Sequence, residues 1–139
     1  MHGSHWGDHE LRKPTAGQLP THVQRGRRDT RRRLTDCAQA CTADADDDLS
    51  EHNVAELVKC IRLCLDCADI CATTAGVASR QTDYDANVTR PLLEACIASC
   101  KSCGNECQRH AMVHAHCQVC EQACRRCEQA CKQLIDAIT

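Results

Sequence analysis

The sequence predicts an all-α fold: an antiparallel, up-down-up-down four-helix bundle with a cysteine-lined core. Three observations predict it. Cysteines recur at alternating intervals of three and four residues in successive stretches of the chain. An α-helix turns about every 3.6 residues, so such positions share one stripe of its surface. The breaks between the stretches are short, which makes consecutive helices antiparallel. Finally, the 139 residues include fifteen Cys but no Phe, one Trp (Trp6) and one Tyr (Tyr84). Thiols must therefore occupy much of the volume that aromatic rings normally fill.

Residues 1–20 show no periodicity and carry Pro14, Gly17 and Pro20. They read as a flexible N-terminal tail whose His2, His5 and His9 are solvated, ahead of a helical domain over 21–139. The first helix is expected from about Thr21 to the mid-forties. It opens on an arginine-rich run, Arg25 to Arg33, and closes on Asp44, Asp46, Asp47 and Asp48, the reverse of what the helix macrodipole favours. Cys37 and Cys41 begin its stripe. Continuing by three and four residues lands on Asp44 and Asp48, and running back lands on Leu34 and Thr30. Asp44 and Asp48 are thus candidates for inward-facing positions. Asp46, Asp47 and the arginines read as surface, since no base-stacking aromatic accompanies the basic run.

Asn53 followed by Glu56 resembles a capping box opening the second helix, which runs to about Ser79. Its stripe is Cys60, Cys64, Cys67 and Cys71, flanked by Leu57, Leu63 and Ile70. After a turn over 80–87, Pro91 fits the first turn of the third helix with Thr89 as its cap; a kink within a longer helix is the alternative. That helix carries Cys96, Cys100, Cys103 and Cys107 to about Met112, and Gly104 costs it about 1 kcal/mol while admitting a close neighbour. The fourth follows a short connection near His114-Ala115-His116. It carries Cys117, Cys120, Cys124, Cys127 and Cys131, and Leu134 and Ile138 continue the same register in carbon.

Up-down-up-down topology sorts the two ends. One gathers Asp44, Asp48, His52, His110, Met112, His114 and His116; the other gathers Leu34, Ala78, Leu92, Leu93, Leu134 and Ile138. The expectation is a thiol-lined tube with one mouth and one apolar plug. His110 and His114 extend the third stripe and are candidate ligands, as is His116. His52 reads as solvated, and Met112 reads as a packing residue.

Rails of thiols call for soft cations. The short loop motifs of iron–sulfur proteins are absent. The C-x-x-C pairs superficially fit zinc, yet each sits inside a longer helical series. Zinc held by four thiolates leaves a charge of about −2 per site, and stacking several such sites in an apolar core is costly. Cu(I) accepts two or three thiolates, which can bridge, so at about one ion per thiolate the charge approaches zero. Before loading, buried thiols should be protonated, and affinity should rise with pH. Multiple Cu(I) ions per chain are therefore the expected cargo, with a zinc or other soft-heavy-metal buffer as the alternative.

Disulfides fit poorly. The cysteine count is odd and no secretory signal is visible, which points to a reducing cytoplasm. Thiols on one stripe also project side by side. Nothing singles out one reactive thiol among fifteen, so an enzyme is not expected. Neither nucleic acid nor membrane is expected as a partner.

The repeated C-x-x-x-C-x-x-C-x-x-x-C on successive helices, with the stretch RHAMVHAHC, resembles the cytosolic branch of the bacterial copper storage proteins over roughly residues 34–138. The resemblance implies a four-helix bundle, a homotetramer, a core loaded with Cu(I) that protects the cytosol, and metal uptake at the end carrying His110, His114 and His116. The chain departs from that pattern in its first helix, which has only Cys37 and Cys41 and places Asp44 and Asp48 where thiols would stand.

Overall fold

A computed structural model describes residues 21–138, and the expected tail lies outside them. Four helices account for most of the described chain: α1 (Thr21–Leu49), α2 (Val58–Ala78), α3 (Ala86–His110) and α4 (Ala115–Ile138), with a 3₁₀ turn at Val54–Leu57 ahead of α2. They form a square. Each packs against its neighbours in sequence, and α1 closes the ring on α4, while the diagonal pairs bring no Cα atoms within 8 Å of each other. That gap between diagonals is the channel. Among the described residues, no helix is long and apolar enough to cross a membrane.

One register governs all four helices. The buried positions of α1 are Val23, Arg27, Thr30, Leu34, Cys37, Cys41, Asp44 and Asp48, with Ala45 beside them. The series in α2 is Cys60 to Cys71, then Thr74 and Ala78. In α3 it is Thr89, Leu93 and Cys96 to Cys107, and in α4 Cys117 to Cys131, then Leu134 and Ile138. All fifteen thiols have no solvent exposure and none is in a disulfide. Leu57 is buried in the 3₁₀ turn, and Leu63 and Ile70 pack against the thiol cluster from its edge.

The helix ends depart from expectation in four places. α1 runs a turn further than the mid-forties, carrying Asp48 in register with the thiols. Asn53 precedes the 3₁₀ turn without capping it; its side chain reaches Glu56 Oε2 at 3.2 Å, and the α-helix begins only at Val58. α3 starts earlier than Thr89. Asp85 caps it, its carboxylate accepting from the Asn87 N–H at 2.9 Å, so Pro91 lies inside the helix. Thr89 could not serve as cap because it points into the core. α3 also ends at His110, so Met112 sits in the connection and is 97% exposed; it plugs no gap. Gly104 does have a close neighbour, since a Cβ there would meet Arg125 Nη1 at 2.9 Å.

The plug contains one charge the arginine run concealed. Arg27 is buried while Arg25, Arg28, Arg31 and Arg32 are exposed. Its Nε donates to Ala78 O at 3.0 Å and its Nη2 donates to Arg80 O at 2.9 Å. Its guanidinium lies 4.9 Å from the Tyr84 ring centroid. A cation thus satisfies the orphaned carbonyls at the C-terminus of α2, where the macrodipole is negative. Burial lowers its pKa from the ordinary arginine value. Thr30 adds a tie from α1 to α4, its hydroxyl 3.3 Å from Ala130 O.

Replacing Arg27 with Met keeps most of the packing volume but leaves those carbonyls unpaired. It should cost the metal-free protein about 1–3 kcal/mol in urea unfolding, whereas Arg28→Met on the exposed face should stay within about 0.5 kcal/mol. Equal effects would remove the capping role from Arg27.

Candidate metal centre

The four stripes meet so closely that sulfur touches sulfur along the whole channel. Along one helix, Cys67 and Cys71 stand 3.7 Å apart and Cys103 and Cys107 stand 4.0 Å apart. Between neighbouring helices, Cys37 lies 3.7 Å from Cys124, Cys120 lies 3.5 Å from Cys41, and Cys71 lies 3.7 Å from Cys96. Across the diagonals, Cys41 reaches Cys103 at 3.9 Å and Cys64 reaches Cys120 at 3.8 Å. These are van der Waals separations between thiols, far from a disulfide bond of about 2.05 Å.

Sulfur atoms group into quartets whose members all lie within 4.8 Å of one another. Cys37, Cys41, Cys67 and Cys124 form one such group. A second is Cys37, Cys67, Cys71 and Cys100; a third is Cys41, Cys103, Cys120 and Cys124. Two more are Cys64, Cys103, Cys107 and Cys120, and Cys71, Cys96, Cys100 and Cys127. Each draws on three helices, and each shares members with another. The thiols therefore tile the channel continuously. A metal in one group has ligands in common with a metal in the next, which suits an ion whose thiolates bridge.

Burial opposes ionisation at every thiol, and the shared hydrogen bonds make proton loss collective. Contacts to neighbouring thiols, foremost Cys103, together with burial hold Cys41 above the ordinary thiol range. At Cys117 the contact to Cys60, burial and the nearby Asp44 and Asp48 carboxylates act in the same direction. The same network pulls Cys37 down, foremost through Cys100. A thiolate formed at one point is thus stabilised by thiols that remain protonated around it.

At the mouth, sulfur gives way to oxygen and nitrogen. Asp44 is almost wholly buried, with Oδ2 3.4 Å from both Cys64 and Cys107 and 3.8 Å from Cys60, and Oδ1 2.5 Å from His116 Nδ1. Asp48 accepts from Cys117 at 3.6 Å and lies 3.4 Å from His116 Nδ1. His116 is also 3.7 Å from Cys117 Sγ, so it bridges the acids and the first thiol of α4. His114 stacks on His116 with ring centroids 5.1 Å apart and pairs with Glu51. His110 pairs with the buried Glu106 at 3.0 Å. His52 is exposed.

Glu51 and Glu106 are the site residues that sequence reasoning missed. Glu106 could have been found, since it stands one turn before His110 on α3. Glu51 lies in the α1–α2 connection, where no periodicity points to it.

Burial raises the Asp44 pKa, and it pushes Asp48 up to about 8 with help from Cys60 and the adjacent Asp44 charge. Burial works against a charged His116, but hydrogen bonds to Asp44 and Glu51 outweigh it and raise its pKa. All three groups bind protons more tightly folded than unfolded. For Asp48 that stabilisation is complete below the free carboxylate value of about 3.9 and disappears as pH rises through about 8. The melting temperature of the reduced, metal-free protein should therefore fall across that window. Asp48→Asn should flatten the fall; an unchanged slope would contradict the assignment.

Comparison with known proteins gives the same architecture. The sequence profile described as copper storage protein matches residues 23–136. A cytosolic copper storage protein from Streptomyces lividans, described as loaded with five coppers, superposes with a TM-score of 0.83 at 53% identity, covering 84% of this chain and 98% of that one. BsCsp3, described as a Cu(I)-bound copper storage protein, superposes with a TM-score of 0.68 at 31% identity, covering 76% of this chain and 94% of that one. YhjQ, an uncharacterized cysteine-rich protein of Bacillus subtilis (strain 168), is 39% identical over 88 residues, or 63% of this chain and 76% of its own. With its rails, its mouth and a match across nearly all of the described residues, this chain belongs to the copper storage protein family.

Proposed function

We propose that the chain stores Cu(I), binding many ions on the thiolates of its channel and so keeping free copper low in the cytosol. The observation that carries this reading is the overlap of the sulfur quartets. Zinc needs four ligands of its own per ion, and shared quartets waste most of the fifteen thiols. Cu(I) uses shared thiolates, and each ion displaces one proton, so loading leaves the core charge unchanged. The Streptomyces relative, described with 10 copper equivalents at 55% identity, supports a large capacity.

The storing ligands are Cys37, Cys41, Cys60, Cys64, Cys67, Cys71, Cys96, Cys100, Cys103, Cys107, Cys117, Cys120, Cys124, Cys127 and Cys131. His116 sits where an ion would pass from solvent to Cys117, so uptake runs through this end, with His114 and His110 as further stations. Asp44 faces three thiols and His116 at once, which suits it to accept the displaced protons and hand the ion inward. Storage rather than catalysis fits a core in which no single thiol is set apart. A cytosolic relative and free thiols favour the cytoplasm. A homotetramer is what the resemblance to the family implies, and light scattering would test it.

Titrating the reduced protein against a competing Cu(I) chelator tests the reading. It should retain on the order of ten or more Cu(I) per chain but no more than about three Zn(II) on its thiolates, four being needed for each. Cys124→Ser, which removes a member of at least two quartets, should lower Cu(I) capacity by about one or two ions and leave the remainder tightly bound. Saturation at one or two Cu(I) would instead describe a chaperone that delivers single ions.

A further inference from the structure

We propose that the mouth also carries a separate site for one divalent cation of the zinc class, held by His114, His116, Asp48 and Glu51, and that a cation seated there slows Cu(I) uptake. The slowing rests on the storage reading; the binding does not.

The donor set differs in kind from the channel below it. Two imidazoles and the carboxylates of Asp44, Asp48 and Glu51 converge in one cluster. Glu51 Oε2 contacts His114 Nδ1 and lies 3.5 Å from His116 Nε2, and His116 Nδ1 lies 2.5 Å from Asp44 and 3.4 Å from Asp48. Imidazole and carboxylate suit borderline and hard divalent ions, while the thiolates beneath suit a soft monovalent one. Two atoms of this cluster are buried without any hydrogen-bond partner: Asp48 Oδ2 and His114 Nε2. Asp48 is wholly buried, and its other oxygen faces the His116 ring, so the unpaired acceptor belongs to a carboxyl aimed into the cluster. Buried acceptors are rarely left unsatisfied, and both unpaired atoms, a carboxylate oxygen and an imidazole nitrogen, are of the kinds that ligate a cation of this class. Charge agrees. Three carboxylates face two imidazoles, and a divalent cation offsets their mutual repulsion where protons alone otherwise must. Because His116 also touches Cys117, an ion held here stands in front of the first thiol of α4.

Co(II) is the probe, because nitrogen and oxygen ligands give only weak ligand-field bands whereas thiolates add intense charge-transfer absorption. The full-length reduced protein is loaded with Cu(I) to its measured capacity, so that no thiol is left free, and titrated with Co(II). One Co(II) per chain should bind with ligand-field bands alone and be displaced by Zn(II). Glu51→Gln should weaken it about 10- to 100-fold, and His114→Gln should do the same; circular dichroism checks that both variants remain helical. Prebound Zn(II) should slow the rate of Cu(I) uptake in the wild type and not in Glu51→Gln. Intense charge-transfer absorption, no retained Co(II), equal affinity in both variants, or an uptake rate indifferent to Zn(II) would each overturn the proposal. A chain that binds Co(II) in this way yet holds only one or two Cu(I) would sink the storage reading and leave the cation site standing.

Discussion

Everything in this molecule follows from placing fifteen thiols in one dry channel without letting them become fifteen charges. Protonated, they behave as small apolar groups and give the bundle its core. Ionised without a partner, they would repel one another at separations of 3.5–4.0 Å, where a low-dielectric interior magnifies the cost. Exchange of a proton for a monovalent cation is the one substitution that converts thiol to thiolate without adding net charge. The metal-free and metal-filled proteins can then share one helical frame, because the electrostatic content of the core does not change with filling.

The two ends of the channel solve opposite problems. At the closed end, carbon continues the stripes of α1, α3 and α4 through Leu34, Leu93, Leu134 and Ile138, and Arg27 donates to Ala78 O at the end of α2 and to Arg80 O just beyond it. At the open end, the stripes of α1, α3 and α4 run into carboxylates and imidazoles that can exchange protons and metal with solvent. The two ends differ because the same helical register carries different side chains at its two limits.

Most of this architecture is legible in the sequence because the helical period is so strongly marked. Cys60 to Cys71, Cys96 to Cys107 and Cys117 to Cys131 fix the buried face of three helices; extending the last series reaches Leu134 and Ile138, and extending Cys37 and Cys41 reaches Asp44 and Asp48, all buried as that register requires. What fails is what periodicity does not govern. The start of α3 depends on which local side chain reaches a free backbone N–H, and Asp85 does so ahead of Thr89. Met112 looks like core by composition, but the helix ends two residues before it and leaves it in water. Arg27 is the instructive miss. An arginine-rich run reads as a solvated face, yet three residues back from Thr30 the stripe lands on Arg27, and register prevails over composition. Glu51 has no such clue, because a connection has no period.

The most direct measurement is anomalous diffraction at the copper absorption edge from crystals of the Cu(I)-filled protein. The copper peaks should form a column along the axis between the four helices, each bonded to two or three sulfur atoms, with neighbouring ions sharing thiolates and the outermost ion beside His116. Copper scattered over the outer surface, or confined to a few isolated four-sulfur sites separated by empty thiols, would contradict it.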